Sequence, residues 1–314
     1  MVINYIILAH KEPQQLSRMV ERLYGPHTFF YIHIDLNVDI APFEALLKTK
    51  ERVMFLPREK RVASIWGSLG VVKAALNGIG EVVKDHRPGY TLLLSGQCYP
   101  IKSNEHIYSF LKDNYGYNFI EGFELPDPRW HSSRLEKYAF FFSSRRADIL
   151  EVEPLADLSL KSLLKKTTLI KYAKVLICYP LKARLLLQRR KHPQNLKPYG
   201  GIAYWALPLQ TLEFITQFVA QNPAYLDFHS FTLYPDEMFF QTIVHNYFTN
   251  VRESVTFAYW ANSNVISPQT FTADQFAFVK ERKELFARKF DYTIDTKILD
   301  LIDEELIHAV PLLK

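Results

Sequence analysis

Two short stretches carry the side chains with the most obvious chemistry. The first is YPDEMFFQT, residues 234–242, in which Asp236 and Glu237 follow Pro235. A carboxylate held at an acceptor hydroxyl can take its proton as a general base. The same pattern also has a purely architectural reading. Proline suits the first helical position, and Asp or Glu in the first turn meets the positive end of the helix dipole. Met238, Phe239, Thr242 and Ile243 recur at helical spacing, as a buried helix requires. The second stretch is LFARKFD, residues 285–291, where Arg288 and Lys289 sit between Phe286 and Phe290. Cations flanked by apolar side chains are partly desolvated and suit an anion. The competing role is a salt bridge, with Asp291 as the nearest carboxylate.

Three more candidates lie at or just past the ends of apolar runs: His10, Asp35 and Ser95. The runs are 2–9, 29–34 and 90–95, with a further strand at 52–56. Between them, 13–24, 41–49 and 64–83 read as helices; Leu16, Met19, Val20 and Leu23 share one face of the first. Strands alternating with helices predict an open α/β sheet of mostly parallel strands. Ligands of such sheets bind beyond the carboxyl ends of the strands, where these three residues fall. LAHKEP stands where a dinucleotide fingerprint would follow the first strand, and no GxxxxGK[ST] occurs. HExxH and paired His/Cys zinc spacings are absent too, so no metal site is predicted.

The 314 residues are 48% hydrophobic and 23% charged, an ordinary globular composition with a formal charge of +5. The charge is uneven. From Lys161 to Lys197 there are eleven Lys or Arg and no Asp or Glu, interleaved with Leu, Ile and Val. That block reads either as solvated helices packed on the domain or as a surface for anionic lipid head groups. It lacks nucleic-acid recognition motifs, and no nucleic-acid partner is expected. Cys98 and Cys178 form no disulfide framework or CxxC pair, and Cys98 reads as a small buried hydrophobe. The opening run VINYIILA predicts a strand rather than a signal peptide, and no window is long enough to span a membrane. The expected location is cytoplasmic, peripheral at the inner membrane face.

In order along the chain, LAHKE, YIHIDLN, WGSLGVVKAAL, LLLSGQCYPIKS, GGIAYWALP, YPDEMFFQT and LFARKFD resemble the core-2/I-branching β-1,6-N-acetylglucosaminyltransferases, a family that also holds the peptide xylosyltransferases. The resemblance implies one GT-A glycosyltransferase domain over 1–314, with a basic helical insertion at about 125–197. It implies a UDP-sugar donor, a glycan or lipid-linked glycan acceptor, and inversion at the anomeric carbon without a metal or other cofactor. N-acetylglucosamine is the implied sugar, and xylose or another hexose the alternative. A catalytically inactive glycan- or nucleotide-binding module is the competing class.

By the same resemblance Glu237 is the general base and Asp236 a residue of the first helical turn. Lys289, with Arg288 beside it, faces the UDP diphosphate. His10 and Asp35 line the uridine site, and Glu121, Trp260 and Arg134 meet the acceptor. The family's second phosphate-binding cation maps to residues 263–269, none of which is basic; Arg282 and Lys283 are the substitutes at hand. Cys98 stands where the family has an aspartate in its SGxDxP motif.

Overall fold

The computed structural model describes residues 1–128, 130, 133–143, 148–261 and 267–307. The first half builds β1 (Val2–Ala9), α1 (Pro13–Leu23), β2 (Thr28–Ile34), α2 (Ala41–Leu47), β3 (Val53–Phe55), α3 (Gly70–Asp85), β4 (Gly89–Ser95), β5 (Cys98–Pro100), α4 (Asn104–Asp113) and β6 (Asn118–Ile120). A peripheral stretch follows: β7 (Phe123–Glu124), α5 (Ser133–Glu136), β8 (Tyr138–Phe141), β9 (Ile149–Val152), α6 (Leu160–Leu163), α7 (Lys166–Cys178) and β10 (Tyr199–Gly200). The chain then returns through β11 (Trp205–Pro208), α8 (Leu209–Gln221), α9 (Pro223–His229), α10 (Phe239–Tyr247), β12 (Val251–Arg252), β13 (Thr256–Ala258), α11 (Phe276–Lys280), β14 (Phe286–Arg288) and α12 (Lys297–Ile302).

Seven strands form the main sheet in the order β12-β6-β11-β4-β1-β2-β3. Only β11 runs against its neighbours; the remaining pairings are parallel. This is the open, mostly parallel α/β sheet that the strand–helix alternation predicts. The strands are apolar on both faces because both are covered. Tyr5 and Ile7 of β1 enter one core with α1, while Ile6 enters the other with α3. Leu16, Met19, Val20 and Leu23 of α1 are all completely buried, as their spacing requires. A second sheet, β13-β14-β5, brings the chain's last strand against the segment just after β4.

Register places the candidate loops side by side. Ala9 pairs with Ile34, and Leu8 with Ser95, so β1, β2 and β4 end level. The Asp35 N–H donates to the Ala9 carbonyl at 2.9 Å, and the Gly96 N–H to Leu8 at 2.9 Å.

Three local expectations change. The helix expected over 64–83 starts only at Gly70. Residues 64–69 form a loop because Gly67 has φ of 76° and packs flat under Tyr234, whose N–H donates to its carbonyl at 2.9 Å. Pro235–Glu237 form a 3-10 turn of their own; Met238 breaks it, and α10 begins at Phe239. Asp236 is therefore not a residue of that helix's first turn. The peripheral stretch is also not all helical. Its β8–β9 hairpin turns Tyr138, Phe140 and Val152 inward to form a small core with Val175 and Leu186. Among the described residues no helix is long and apolar enough to cross a membrane.

Candidate active site

The loops beyond β4 and β14 are tied to α1 by a completely buried glutamine. Gln15 Nε2 donates to the Gly96 carbonyl at 2.9 Å and the Phe290 carbonyl at 3.1 Å, and Gln15 Oε1 accepts from the Tyr292 N–H at 2.8 Å. Burying an amide this deeply is costly unless its polar atoms are bonded, so these contacts hold the loops in one arrangement. The Phe290 N–H adds a bond to the Gln97 carbonyl at 3.0 Å. Nothing in the spacing of Gln15 marks it out, since it lies on the apolar face of an ordinary amphipathic helix.

Cations gather on this frame. Lys11 Nζ lies 2.5 Å from Asp291 Oδ2, which also accepts from Gln97 Nε2 at 3.1 Å. Asp291 thus pairs with Lys11 rather than with Arg288 or Lys289. Among the described residues, Lys289 Nζ donates to the Ser267 hydroxyl alone, at 3.2 Å. Its pKa is lowered first by burial, then by the charges of Arg288 and Lys11. The Arg288 guanidinium lies 4.5 Å from the centre of the Tyr204 ring, and its buried Nε meets no hydrogen-bond partner among the described residues. A half-desolvated lysine whose protonation is depressed by neighbouring cations is stabilised by an anion. His10 is exposed beside this group; partial desolvation and Lys11 lower its pKa, while Asp35 and Asp291 oppose them.

Asp35 itself is buried, with Oδ1 accepting from the Asn37 N–H at 2.9 Å and Oδ2 from the Ser64 N–H at 2.7 Å. The carboxylate shapes the rim of the loop after β2. Cys98 is completely buried, with Sγ 3.4 Å from the Ser95 hydroxyl, and burial pushes its thiol pKa up. It packs as the small hydrophobe expected.

Asp236 lies within electrostatic reach of one of these cations, Arg288. Glu237 Oε2 accepts from Arg134 Nη1 at 2.6 Å. The Arg134 guanidinium is itself held between the rings of Trp130, at 4.0 Å, and Tyr234, at 4.7 Å. Trp66 meets Tyr234 edge-on at 4.8 Å. Burial, then the neighbouring Glu237 charge, raise the Asp236 pKa well above the usual carboxylate range; Arg134 and Arg288 pull it back. Because Arg288 acts on Asp236, the carboxylates and the cations share one electrostatic environment.

Glu121 braces the same turn from below. Glu121 Oε2 accepts from the Ile202 N–H at 2.7 Å, and the Gly201 N–H donates to the Glu237 carbonyl at 3.0 Å. A Cβ on Gly201 would lie 2.3 Å from the Glu121 carbonyl oxygen, so only glycine allows the approach. Trp260 is half-buried, two residues past β13. The neighbouring Tyr259 carbonyl accepts from the Gln269 N–H at 2.8 Å, and the Gln269 carbonyl from the Lys289 N–H at 3.3 Å. Trp260 therefore lies on the side of the Lys289 strand.

The segment mapped to a second phosphate-binding cation falls largely on residues 263–266, outside the described residues. Arg282 is an unsuitable substitute: its guanidinium stacks on Phe278 at 4.5 Å, and its Nε bonds the Phe278 carbonyl at 3.2 Å. Lys11 is the additional cation beside Lys289, and it went unnoticed in LAHKE because a lone lysine after a strand is unremarkable. Among the described residues no three His, Cys, Asp or Glu side chains cluster as a metal site would need.

Residues 3–281 match the family described as Core-2/I-Branching enzyme. The chain belongs to that family. Among curated relatives, human xylosyltransferase 2 is 24% identical over 98% of this chain and 34% of its own length. Human xylosyltransferase 1 is 22% identical over 98% of this chain and 31% of its own. This branching-family chain thus spans about a third of the length of the curated relatives it matches. Among solved structures, mouse xyloside xylosyltransferase 1 in its apo form aligns over 91% of this chain and 97% of that one, at 10% identity and a TM-score of 0.35.

Proposed function

We propose that this chain transfers a sugar from a UDP-sugar to a hydroxyl of a glycan acceptor, free or lipid-linked, with inversion and without a metal ion. The observation that carries this reading is that the Asp236–Glu237 turn shares one electrostatic environment with Arg288, beside which Lys289 stands while Asp291 is taken up by Lys11. Arg134 holds one oxygen of the Glu237 carboxylate, which fixes its orientation. The other oxygen takes the acceptor proton as the acceptor oxygen bonds to the anomeric carbon. The bond from that carbon to the diphosphate breaks, and its electron pair leaves with UDP. Lys289 and Arg288 meet the charge that develops there, the part a metal plays in other sites. Trp66, 41% exposed and edge-on to Tyr234, supplies a ring face near the base, suited to the apolar face of an acceptor sugar.

N-acetylglucosamine is the donor sugar implied by the branching enzymes. The relatives named xylosyltransferases favour xylose as a second reading. UDP release measured over a panel of UDP-sugars, with and without glycan acceptors, tests both. Release dependent on one sugar and one acceptor supports transfer. Tight UDP binding with no release from any pair would support a binding module instead.

A further inference from the structure

The peripheral stretch turns its apolar side chains the wrong way for a packed helix. α7 touches the hairpin through Tyr172, Val175 and Tyr179, of which only Val175 is fully buried. Around the outward face, Leu169, Ile170, Ala173, Leu176 and Ile177 follow helical spacing and are all exposed. Ile177 keeps 77% of its surface, and Leu181 in the next turn keeps 84%. Half of the sixteen large exposed apolar side chains described lie between Leu160 and Leu187. Single exposed apolar residues are ordinary, but a contiguous group of this kind marks a contact surface.

The charge around it narrows the partner. Lys161, Lys165, Lys166, Lys171, Lys174 and Lys182 have no carboxylate partner among the described residues, whereas Arg189 pairs with Asp157 and Lys197 with Glu124. Two copies meeting through this face would press like charges together. A planar surface of anionic head groups over hydrocarbon accepts both the lysines and the leucines. At 13 residues α7 is about 20 Å long, too short to cross a bilayer but suited to lying on one.

We propose that the outward face of α6, α7 and the turn after it seats the protein on an anionic lipid bilayer, the Leu and Ile side chains entering the head-group boundary and the lysines pairing with lipid phosphates. The proposal does not depend on the chemistry of the catalytic reading. It does place that site at the membrane. Arg190 is not part of the contact: it is sunk inward, donating to the carbonyls of Arg134, Lys137 and Phe228, and so ties this stretch to the segment that holds Glu237.

Native Cys178 provides the probe, because it is exposed at the end of α7 while Cys98 is sealed in the core. The intact protein, labelled there with an environment-sensitive fluorophore, is mixed with phosphatidylcholine vesicles with or without phosphatidylglycerol. The expected result is a blue-shifted emission and co-sedimentation with the anionic vesicles only, weakening by roughly tenfold or more as salt shortens the Debye length. Replacing Leu176→Ser and Ile177→Ser together abolishes the shift without altering the melting temperature or UDP release with a soluble acceptor. An unchanged spectrum with anionic vesicles overturns the proposal. Concentration-dependent self-association that the same double substitution removes, without vesicle binding, also overturns it and assigns the face to a second copy.

Discussion

The carboxyl edge of the main sheet and the outward face of α7 use the same residue types in opposite ways. At the sheet edge the apolar side chains point inward on both faces, and loop positions are over-determined by buried polar bonds. Gln15 ties two loops to α1, Asp35 pins two backbone amides, and Gly201 is wedged against Glu121. On α7 the Leu and Ile side chains point outward, and among the described residues its lysines lack carboxylate partners. The first region holds groups to the tolerance that chemistry needs. The second is shaped to be completed from outside. Arg190 and Arg134 join them, since the buried guanidinium of one carries the backbone of the other.

The largest expected effect tests the rigid region. Glu237→Gln should lower transfer by about a hundred- to ten-thousandfold, the usual contribution of a general base. UDP affinity and melting temperature should hardly change, because the amide preserves the shape of the turn. Near wild-type turnover with a true acceptor would leave Glu237 as Arg134's structural partner only.

Next in size is Lys289→Ala. Losing one charge-assisted contact to phosphate costs roughly 1.5–3 kcal/mol, about ten- to a hundredfold in UDP affinity or turnover. EDTA should leave the wild type active. Inactivation by EDTA with rescue by manganese would replace the lysine with a metal in this role. Arg282→Ala should leave UDP affinity unchanged, since Arg282 is committed to Phe278.

Much of the sheet edge was legible because short-range rules decide it. Apolar runs of strand length end at His10, Asp35 and Ser95, and register follows from parallel pairing. The PDE and ARKFD motifs were legible as motifs, but their partners were not. Lys11 with Asp291, Gln15 with Gly96 and Phe290, and Arg134 with Glu237 are contacts between residues far apart in the chain, which no local pattern encodes. The 3-10 turn at Pro235–Glu237 was hidden because the left-handed Tyr234 is set by contact with Gly67. The β8–β9 hairpin was missed because YAFFF reads equally well as part of a helical insertion until Val152 and Val175 close over it.

Acid should distinguish the regions more gently. Burial holds His33 and His192 at about 4, and His229 well below its ordinary value. Each binds its proton less readily folded than unfolded, so stability is full above about 6.5 and falls as pH drops toward 4. His33 keeps a bond at Nε2 from the Val62 N–H at 2.8 Å, whereas among the described residues the ring nitrogens of His229 meet no hydrogen-bond partner. His229→Phe should therefore flatten part of the fall in melting temperature between pH 6.5 and 4.5. An identical pH profile in the variant would show that His229 takes no share in it. Asp236 has the opposite sign: its raised pKa lowers stability as pH rises from the carboxylate range toward neutrality, and Asp236→Asn should remove that slope.

The smallest effect sharpens the contrast most, because it compares neighbours. Val175 and Leu176 are adjacent on α7, one completely buried and the other 57% exposed. If the helix is an ordinary packed element, both contribute to the fold. If its outer face serves an external surface, only the inner residue does. Val175→Ala removes two buried methyl groups and should cost about 1.5 kcal/mol, read from the urea midpoint. Leu176→Ser removes a larger side chain, yet should shift stability by less than about 0.5 kcal/mol, as substitutions on an open surface do. A cost for Leu176→Ser as large as that of Val175→Ala would mean that the leucine is covered in the isolated protein, leaving the bilayer nothing to bind at that position.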